Sequence, residues 1–325
     1  MRALAAETPG SLEKLRITEL SVPLPGPEEV RVRVLACGLN PVDHKLVTRG
    51  FSPEDGPYVP GLDVAGVIDA VGSDVAGWSV GDRVVYHGDL NRPGGLAEYT
   101  VADAEVLARL PEGVHPAAAA ALPCPALTAW QAVCRLRLIG GETVLVHGAG
   151  GGVGGYAVRF AADAGAQVLA TASPVDFDRA RELGARQVLD YRDPQLADRA
   201  AAFTFGEGLR ALIDTVSAEN ATRGLAMLGY AGQLVSIVGR PDLSTVPEFG
   251  AVPTVHEVAL GSVYTHGTVA DRRALGTDLT QILQVAASGR IIPLLTETVP
   301  LGRAAAALAE MAAGARRGKT VVTPD

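Results

Sequence analysis

The sequence predicts an α/β protein, with a β-rich first third followed by a doubly wound parallel sheet. Three observations carry that prediction. Val30, Val32 and Val34 alternate with Arg31 and Arg33, the period of two that turns one face of a strand to a core. From about Pro125 onward, short apolar runs alternate with helical stretches, as βα units require. Between the first of those runs, residues 143–147, and the helix after it lies a cluster of glycines, the place where such sheets take up a dinucleotide.

In the first third, residues 64–71, 81–86 and 96–101 read as further strands separated by turns rich in Gly and Asp. Pro23, Pro25 and Pro27 bar a helix from the segment they occupy. The run 143–147 (TVLVH) lacks polar alternation, as a strand buried on both faces does. The next helix carries Val153, Ala157, Phe160 and Ala164 on one face and stops at Gly165, and 167–171 is the following strand. Together they form a βαβ unit of about 30 residues. A helix at 178–183 and strands at 187–191, 209–216, 233–238 and 258–264 continue the series. Past Gly267 come a helix (271–287), a strand (291–299), an alanine-rich helix (303–313) and a last strand (320–323). These are too few for a domain, so they are expected to return and complete the first one. The expected domains are 1–124 with 267–325, and 125–266.

Hydrophobic residues make up 48% of the 325 and charged residues 20%, which allows large cores. Twenty-eight basic against thirty-six acidic residues leave a net charge of −8. The densest basic cluster, Arg316, Arg317 and Lys319, is short, so no nucleic-acid surface is expected. Residues 1–12 lack an apolar core of signal-peptide length, and the most apolar stretch, 116–130, is broken by Pro123 and Pro125. Cys37, Cys124 and Cys134 make no disulfide framework. These features point to a soluble cytoplasmic protein without a membrane partner.

The glycine cluster runs His147-Gly148-Ala149-Gly150-Gly151-Gly152-Val153-Gly154-Gly155. Glycines there let backbone N–H groups and a helix dipole approach a pyrophosphate. Two registers of the fingerprint fit, Gly150/Gly152/Gly155 and Ala149/Gly151/Gly154. NAD-selective sites place a carboxylate about 20 residues further on, to hold the ribose hydroxyls. Counting from Gly154, that point falls on Ser173. A carboxylate at about 4 Å from a phosphate, at an effective dielectric of about 20, would oppose it by about 4 kcal/mol. Its absence predicts NADPH, with Ser173, Arg179, Tyr191 and Arg192 near the 2′-phosphate and Asp176 and Asp178 close by. Val216, Val238 and Gly239, at the ends of later strands, complete the cofactor-binding set.

The chain resembles the zinc-free quinone oxidoreductase (zeta-crystallin-like) branch of the medium-chain dehydrogenase/reductase superfamily. The resemblance rests on Cys37-Gly38-Leu39-Asn40-Pro41-Val42-Asp43, Pro60-Gly61-Leu62-Asp63-Val64-Ala65-Gly66 and Val80-Gly81-Asp82-Arg83-Val84. Gly94-Gly95-Leu96-Ala97-Glu98-Tyr99, then residues 122–130 (LPCPALTAW), the glycine loop and Gly318-Lys319-Thr320-Val321-Val322 follow in order. It implies a GroES-like catalytic domain split around a Rossmann domain, an active site in the cleft between them, and a homodimer formed near 258–264. Where zinc alcohol dehydrogenases of the superfamily carry metal ligands, this chain has Asn40, Leu62 and Cys124. A leucine cannot ligate and an asparagine amide is a poor ligand, so no metal is expected.

The resemblance also places Asn40, Asp43 and Thr128 at the nicotinamide end as catalytic residues, Asn40 and Thr128 touching the cofactor. Thr128 follows a bend expected at Pro125. Asp43 has an alternative reading as a structural carboxylate bonded to backbone or to Arg83. His44, Tyr58, His87 and Tyr264 are candidates for the substrate pocket, although the family often has a larger aromatic at position 44. His147 is expected only to pack. Without a Lewis acid, hydride is expected to go to a conjugated acceptor that spreads the developing charge. The leading reading is an NADPH:quinone reductase. The alternatives are an enoyl or alkenal reductase, and a non-catalytic cofactor-binding structural or RNA-binding protein.

Overall fold

The computed structural model describes residues 1–8, 10–49 and 57–324. The chain divides into two compact units, Met1–Leu127 with Gly261–Asp325, and Thr128–Leu260. Among the described residues no helix is long and apolar enough to cross a membrane.

In the first unit, among the described residues, seven strands form a β-rich sheet in the order Leu295–Pro300, Lys319–Thr323, Glu29–Gly38, Asp63–Val71, Arg83–His87 and Ala108–Arg109, with Tyr99–Asp103 also paired to Glu29–Gly38. Val30, Val32 and Val34 are buried while Arg31 and Arg33 face outward, so the period of two holds. The alternation ends at Ala36, Cys37 and Gly38, which are all buried. There the strand pairs with Lys319–Thr323 on one side and Asp63–Val71 on the other. Position 319 is 256 residues from position 63, and this pairing brings the two together.

In the second unit, among the described residues, six parallel strands follow the order Gln187–Asp190, Gln167–Ala172, Thr143–His147, Leu209–Asp214, Leu228–Ser236, Thr254–Glu257. Strand order reverses beside Thr143–His147, the switch point at which ligands of such sheets bind. Helices Leu196–Phe203 and Ala218–Leu225 supply crossovers that the apolar pattern alone did not reveal. The helix after the glycine loop, Gly152–Asp163, buries Ala157 and Phe160 as expected, but Ala164 is its exposed C-cap.

Three expectations need correcting. The run 258–264 is not a strand. The sheet ends with Thr254–Glu257, and Tyr264 lies in a short helix, Ser262–His266, of the first unit. Gly261 ends the extended chain, and a short apolar run does not by itself distinguish strand from helix. Pro125 makes no bend either. Pro123–Leu136 is a continuous helix with both prolines in its first turn, where an amide hydrogen has no intrahelical acceptor to meet. Finally, the units part at Leu127/Thr128 and Leu260/Gly261 rather than at 124/125 and 266/267.

Candidate active site

The first unit gathers its chemistry around one carboxylate. Asp63 opens a central strand and is fully buried. Its Oδ1 accepts from His87 Nδ1 (2.8 Å) and from the Cys124 N–H (2.9 Å), in the first turn of the helix Pro123–Leu136. Its Oδ2 accepts from Asn40 Nδ2 (2.8 Å) and from Lys319 Nζ (2.9 Å). A carboxylate offers about four lone-pair sites, and these four donors occupy them. Burial alone would raise the Asp63 carboxyl, but the Lys319 ammonium, His87 and Asn40 outweigh it and hold it below the ordinary range. Because Asp63 is an acceptor, His87 carries its proton on Nδ1.

Asn40 is consumed by the same network. Its Oδ1 accepts from Lys319 Nζ (2.6 Å), and Nδ2 donates to Asp63 and to the Gly38 carbonyl (3.3 Å). The amide therefore has no spare N–H for a substrate. Its role here is to hold Asp63 and Lys319 in register. Asp43 is the third residue of the helix Pro41–Arg49 and reaches back to the Asn40 N–H (2.7 Å), as a capping carboxylate does. It also accepts from the Gly61 N–H (3.2 Å), so the backbone, not Arg83, holds it. Burial pushes its carboxyl up to about 7, against the opposing pull of the Asn40 N–H.

The expected pocket residues disperse. Tyr264 donates its hydroxyl to the His87 carbonyl, which brings those two together. Tyr58 is buried and bonds by its backbone to Ala6. His44 is half-buried on the helix Pro41–Arg49, and burial lowers its pKa. Lys319 and Asp63 are the residues that sequence reasoning missed. Asp63 and Lys319 were each one letter of a motif, Lys319 also the end of a basic cluster, and neither was given a role.

In the second unit, the loop 148–151 lies between Thr143–His147 and the helix Gly152–Asp163. Gly148 takes φ +80°, which suits glycine. A Cβ at Gly154 would fall inside the shell of the Gly148 carbonyl oxygen. Gly154 is thus the close-packing glycine of the fingerprint, which selects the register Ala149/Gly151/Gly154. A cavity of about 660 Å³ opens beside the loop, within the size range of cofactor sites. Gly150, Gly151, Ser173, Tyr191 and Val216 of the expected set line it. Gly152 and Val153 begin the helix behind it.

Other expected residues are engaged elsewhere. Arg179 donates to the Gly150 carbonyl and pairs with Asp176 (3.4 Å), so it braces the loop. Arg192 also lines the cavity, where it pairs with Asp190 (2.8 Å) and lies 5.4 Å over the Tyr191 ring. Gly239 accepts from Ser236 Oγ, and Val238 is half-exposed. Thr128 is buried in the helix Pro123–Leu136. His147, expected only to pack, lines the cavity with Asn220 and Arg223. Its Nδ1 pairs with Thr171 Oγ1 (3.0 Å), and its buried Nε2 has no hydrogen-bond partner among the described residues. Burial lowers its pKa to about 4. An orphaned ring nitrogen beside a loop of bare backbone fits a dinucleotide rich in donors and acceptors.

The family model for an alcohol dehydrogenase GroES-like domain matches residues 26–112, and that for a zinc-binding dehydrogenase matches residues 183–322. Human quinone oxidoreductase is 32% identical over 251 residues, 76% of either chain. A mycocerosic acid synthase-like polyketide synthase of Mycobacterium tuberculosis is 34% identical over 98% of this chain, which spans 15% of that protein's length. Among solved structures, Pseudomonas syringae quinone oxidoreductase has a TM-score of 0.88 at 29% identity, covering 99% of both chains. The CurK enoyl reductase has a TM-score of 0.86 at 26% identity, covering 100% of this chain and 99% of its own. A nicotinamide dinucleotide is the cofactor that this family implies. With a split β-rich unit, a parallel sheet reversing at a glycine loop, and that identity across three quarters of the human enzyme, the chain belongs to the quinone oxidoreductase branch of the medium-chain dehydrogenase/reductase superfamily.

Proposed function

We propose that this oxidoreductase reduces a quinone with NADPH and without a metal ion. The observation that carries the reading is the saturated carboxylate of Asp63. Asp63, His87 and Cys124 offer oxygen, nitrogen and sulfur atoms within 4.8 Å of one another, a set that invites zinc. A zinc ion does not fit there. All four lone-pair sites of Asp63 are taken, and the Lys319 ammonium, 2.9 Å away, already neutralises it. Asn40 and Leu62 stand at the family's other ligand positions, and neither supplies a zinc ligand.

When bound, the dihydronicotinamide supplies the hydride. Gly150, Gly151 and the start of the helix Gly152–Asp163 would hold the pyrophosphate on N–H groups, and His147 and Arg223 face the same cavity. Ser173 in place of a carboxylate, with Tyr191 and Arg192 on the same rim, supports NADPH over NADH. Without a Lewis acid, the acceptor itself must spread the developing charge, which favours a conjugated system.

A second reading, an enoyl reductase acting on an α,β-unsaturated carbonyl, is favoured by the near full-length match to polyketide synthases and to the CurK enoyl reductase. Oxidation of NADPH and NADH with 1,4-benzoquinone, 9,10-phenanthrenequinone and small enones separates the two. Turnover of enones alone overturns the quinone reading. We place the enzyme in the cytoplasm as a homodimer. The edge strand Thr254–Glu257, paired on one side only among the described residues, is the surface for that pairing. A monomer by light scattering would refute it.

A further inference from the structure

In the second unit, the helix Ala218–Leu225 starts from Ser217, whose hydroxyl accepts from the Asn220 N–H (3.2 Å). Asn220 and Arg223 are three residues apart and so share a helix face, and both line the glycine-loop cavity. Asp214 is buried at the end of the strand Leu209–Asp214. It accepts from the Val216 N–H (2.9 Å), the Ser217 N–H (3.0 Å) and Asn220 Nδ2. The other end of that amide, Asn220 Oδ1, accepts from Arg223 Nη2 (3.2 Å). Asp214 thus fixes Asn220, and Asn220 orients the guanidinium through a neutral group. An amide partner aims an arginine without cancelling its charge.

The other charges on the cavity wall are cancelled. Asp176 pairs with Arg179 (3.4 Å), Arg192 with Asp190 (2.8 Å) and Asp193 with Arg199 (2.6 Å). Burial lowers the His147 pKa to about 4 against the pull of Asp214, and the Arg223 charge adds to the lowering, so the ring is neutral at pH 7. Among the described residues, no carboxylate lies within ion-pair distance of Arg223. Glu219, one turn earlier, is held low first by its own backbone N–H and by Ser217, and last by Arg223. One uncompensated cation therefore remains on this wall. A dinucleotide offers its pyrophosphate to the bare N–H groups of the glycine loop. A phosphate on the adenosine 2′-hydroxyl needs a cation of its own, and the planar fork of arginine matches its oxygens.

We propose that Arg223 takes the 2′-phosphate of NADPH, so that cofactor choice is set from the helix Ala218–Leu225, with Asp214 and Asn220 as positioning residues. Ser173 then contributes by not opposing the phosphate, and Arg179 and Arg192, already paired, are secondary. The proposal rests on the NADPH reading above and deepens it by naming the residue that recognises the cofactor.

The test titrates the full chain, Arg223→Met, Arg223→Lys and Asn220→Ala with NADP⁺ and with NAD⁺ by fluorescence, at low and at physiological salt. Arg223→Met should lower the ratio of NADP⁺ to NAD⁺ affinity about tenfold or more, the worth of a hydrogen bond between charged groups. Arg223→Lys should recover part of the ratio, since a point charge lacks the fork. Asn220→Ala should lower it less than Arg223→Met, because the charge remains while its aim is lost. Added salt should erode the wild-type preference and leave the Arg223→Met ratio nearly flat. An equal loss of both nucleotides in Arg223→Met would place the guanidinium on a part they share and overturn the proposal. A preference for NADP⁺ that survives Arg223→Met would overturn it too, with the NADPH reading intact. A wild type without that preference would sink the NADPH reading itself.

Discussion

Asp63 in the first unit and His147 in the second are both buried polar side chains at strand ends, yet they are handled in opposite ways. Asp63 accepts from four donors, one of them an ammonium. His147 pairs through one ring nitrogen and, among the described residues, leaves the other without a partner, beside a cavity of about 660 Å³. The difference separates structure from reception. A polar group with every site filled rigidifies its surroundings and has nothing left to offer a ligand. One left half-satisfied marks where a ligand is to arrive. On this criterion we propose the Asp63 cluster as scaffold and the glycine-loop cavity as the binding site.

The largest effect should come from opening the closed cluster. Asp63→Leu leaves Lys319 buried without its counter-ion and should cost about 3–5 kcal/mol in urea unfolding. Adding Lys319→Met should restore much of that loss, because two apolar residues replace a matched pair. If Asp63→Leu alone costs less than about 1 kcal/mol, the cluster is not closed. Gly154→Ala drives a methyl against the Gly148 carbonyl, and should weaken NADP⁺ binding about tenfold or more in a fluorescence titration. Unchanged affinity would mean that the loop does not hold the pyrophosphate.

A smaller change separates the two cofactors. Ser173→Asp should lower the NADPH/NADH preference about tenfold, since exposure reduces the full Coulomb term. An unaltered ratio would place the 2′-phosphate elsewhere. The smallest effects are in pH dependence, where the two units should show opposite slopes. Asp43 has a folded pKa raised to about 7 from 3.8, so the native state holds its proton longer and stability falls as pH rises through that window. His147 has a folded pKa lowered to about 4 from 6.5, so the unfolded chain binds the extra proton and stability rises across it. Between about pH 4 and 6.5, Asp43→Asn should make the slope of unfolding free energy more positive, and His147→Gln should make it less so. Equal slopes in both variants would remove the contrast.

Much of the second unit was legible because its signals are local. The run 143–147, the glycines and the next strand are contiguous, and their spacing alone predicts a strand, a loop and a helix. Local signals also misled, since 258–264 has the composition of a strand while Gly261 turns it into a helix of the other unit. The register of the glycine fingerprint was undecidable from letters, because only the approach of Gly154 to the Gly148 carbonyl distinguishes the two. In the first unit, Asn40 was found by resemblance, but its role was not. Lys319 and Asp63 are 256 residues apart, and sheet pairing alone joins them. No periodicity encodes a buried ion pair of that separation.

The most direct test is NADPH consumption with 1,4-benzoquinone after exhaustive dialysis against 1,10-phenanthroline, with the metal content of the same sample measured. The account predicts substoichiometric metal and an undiminished rate. A rate that vanishes on dialysis and returns with added zinc would contradict it.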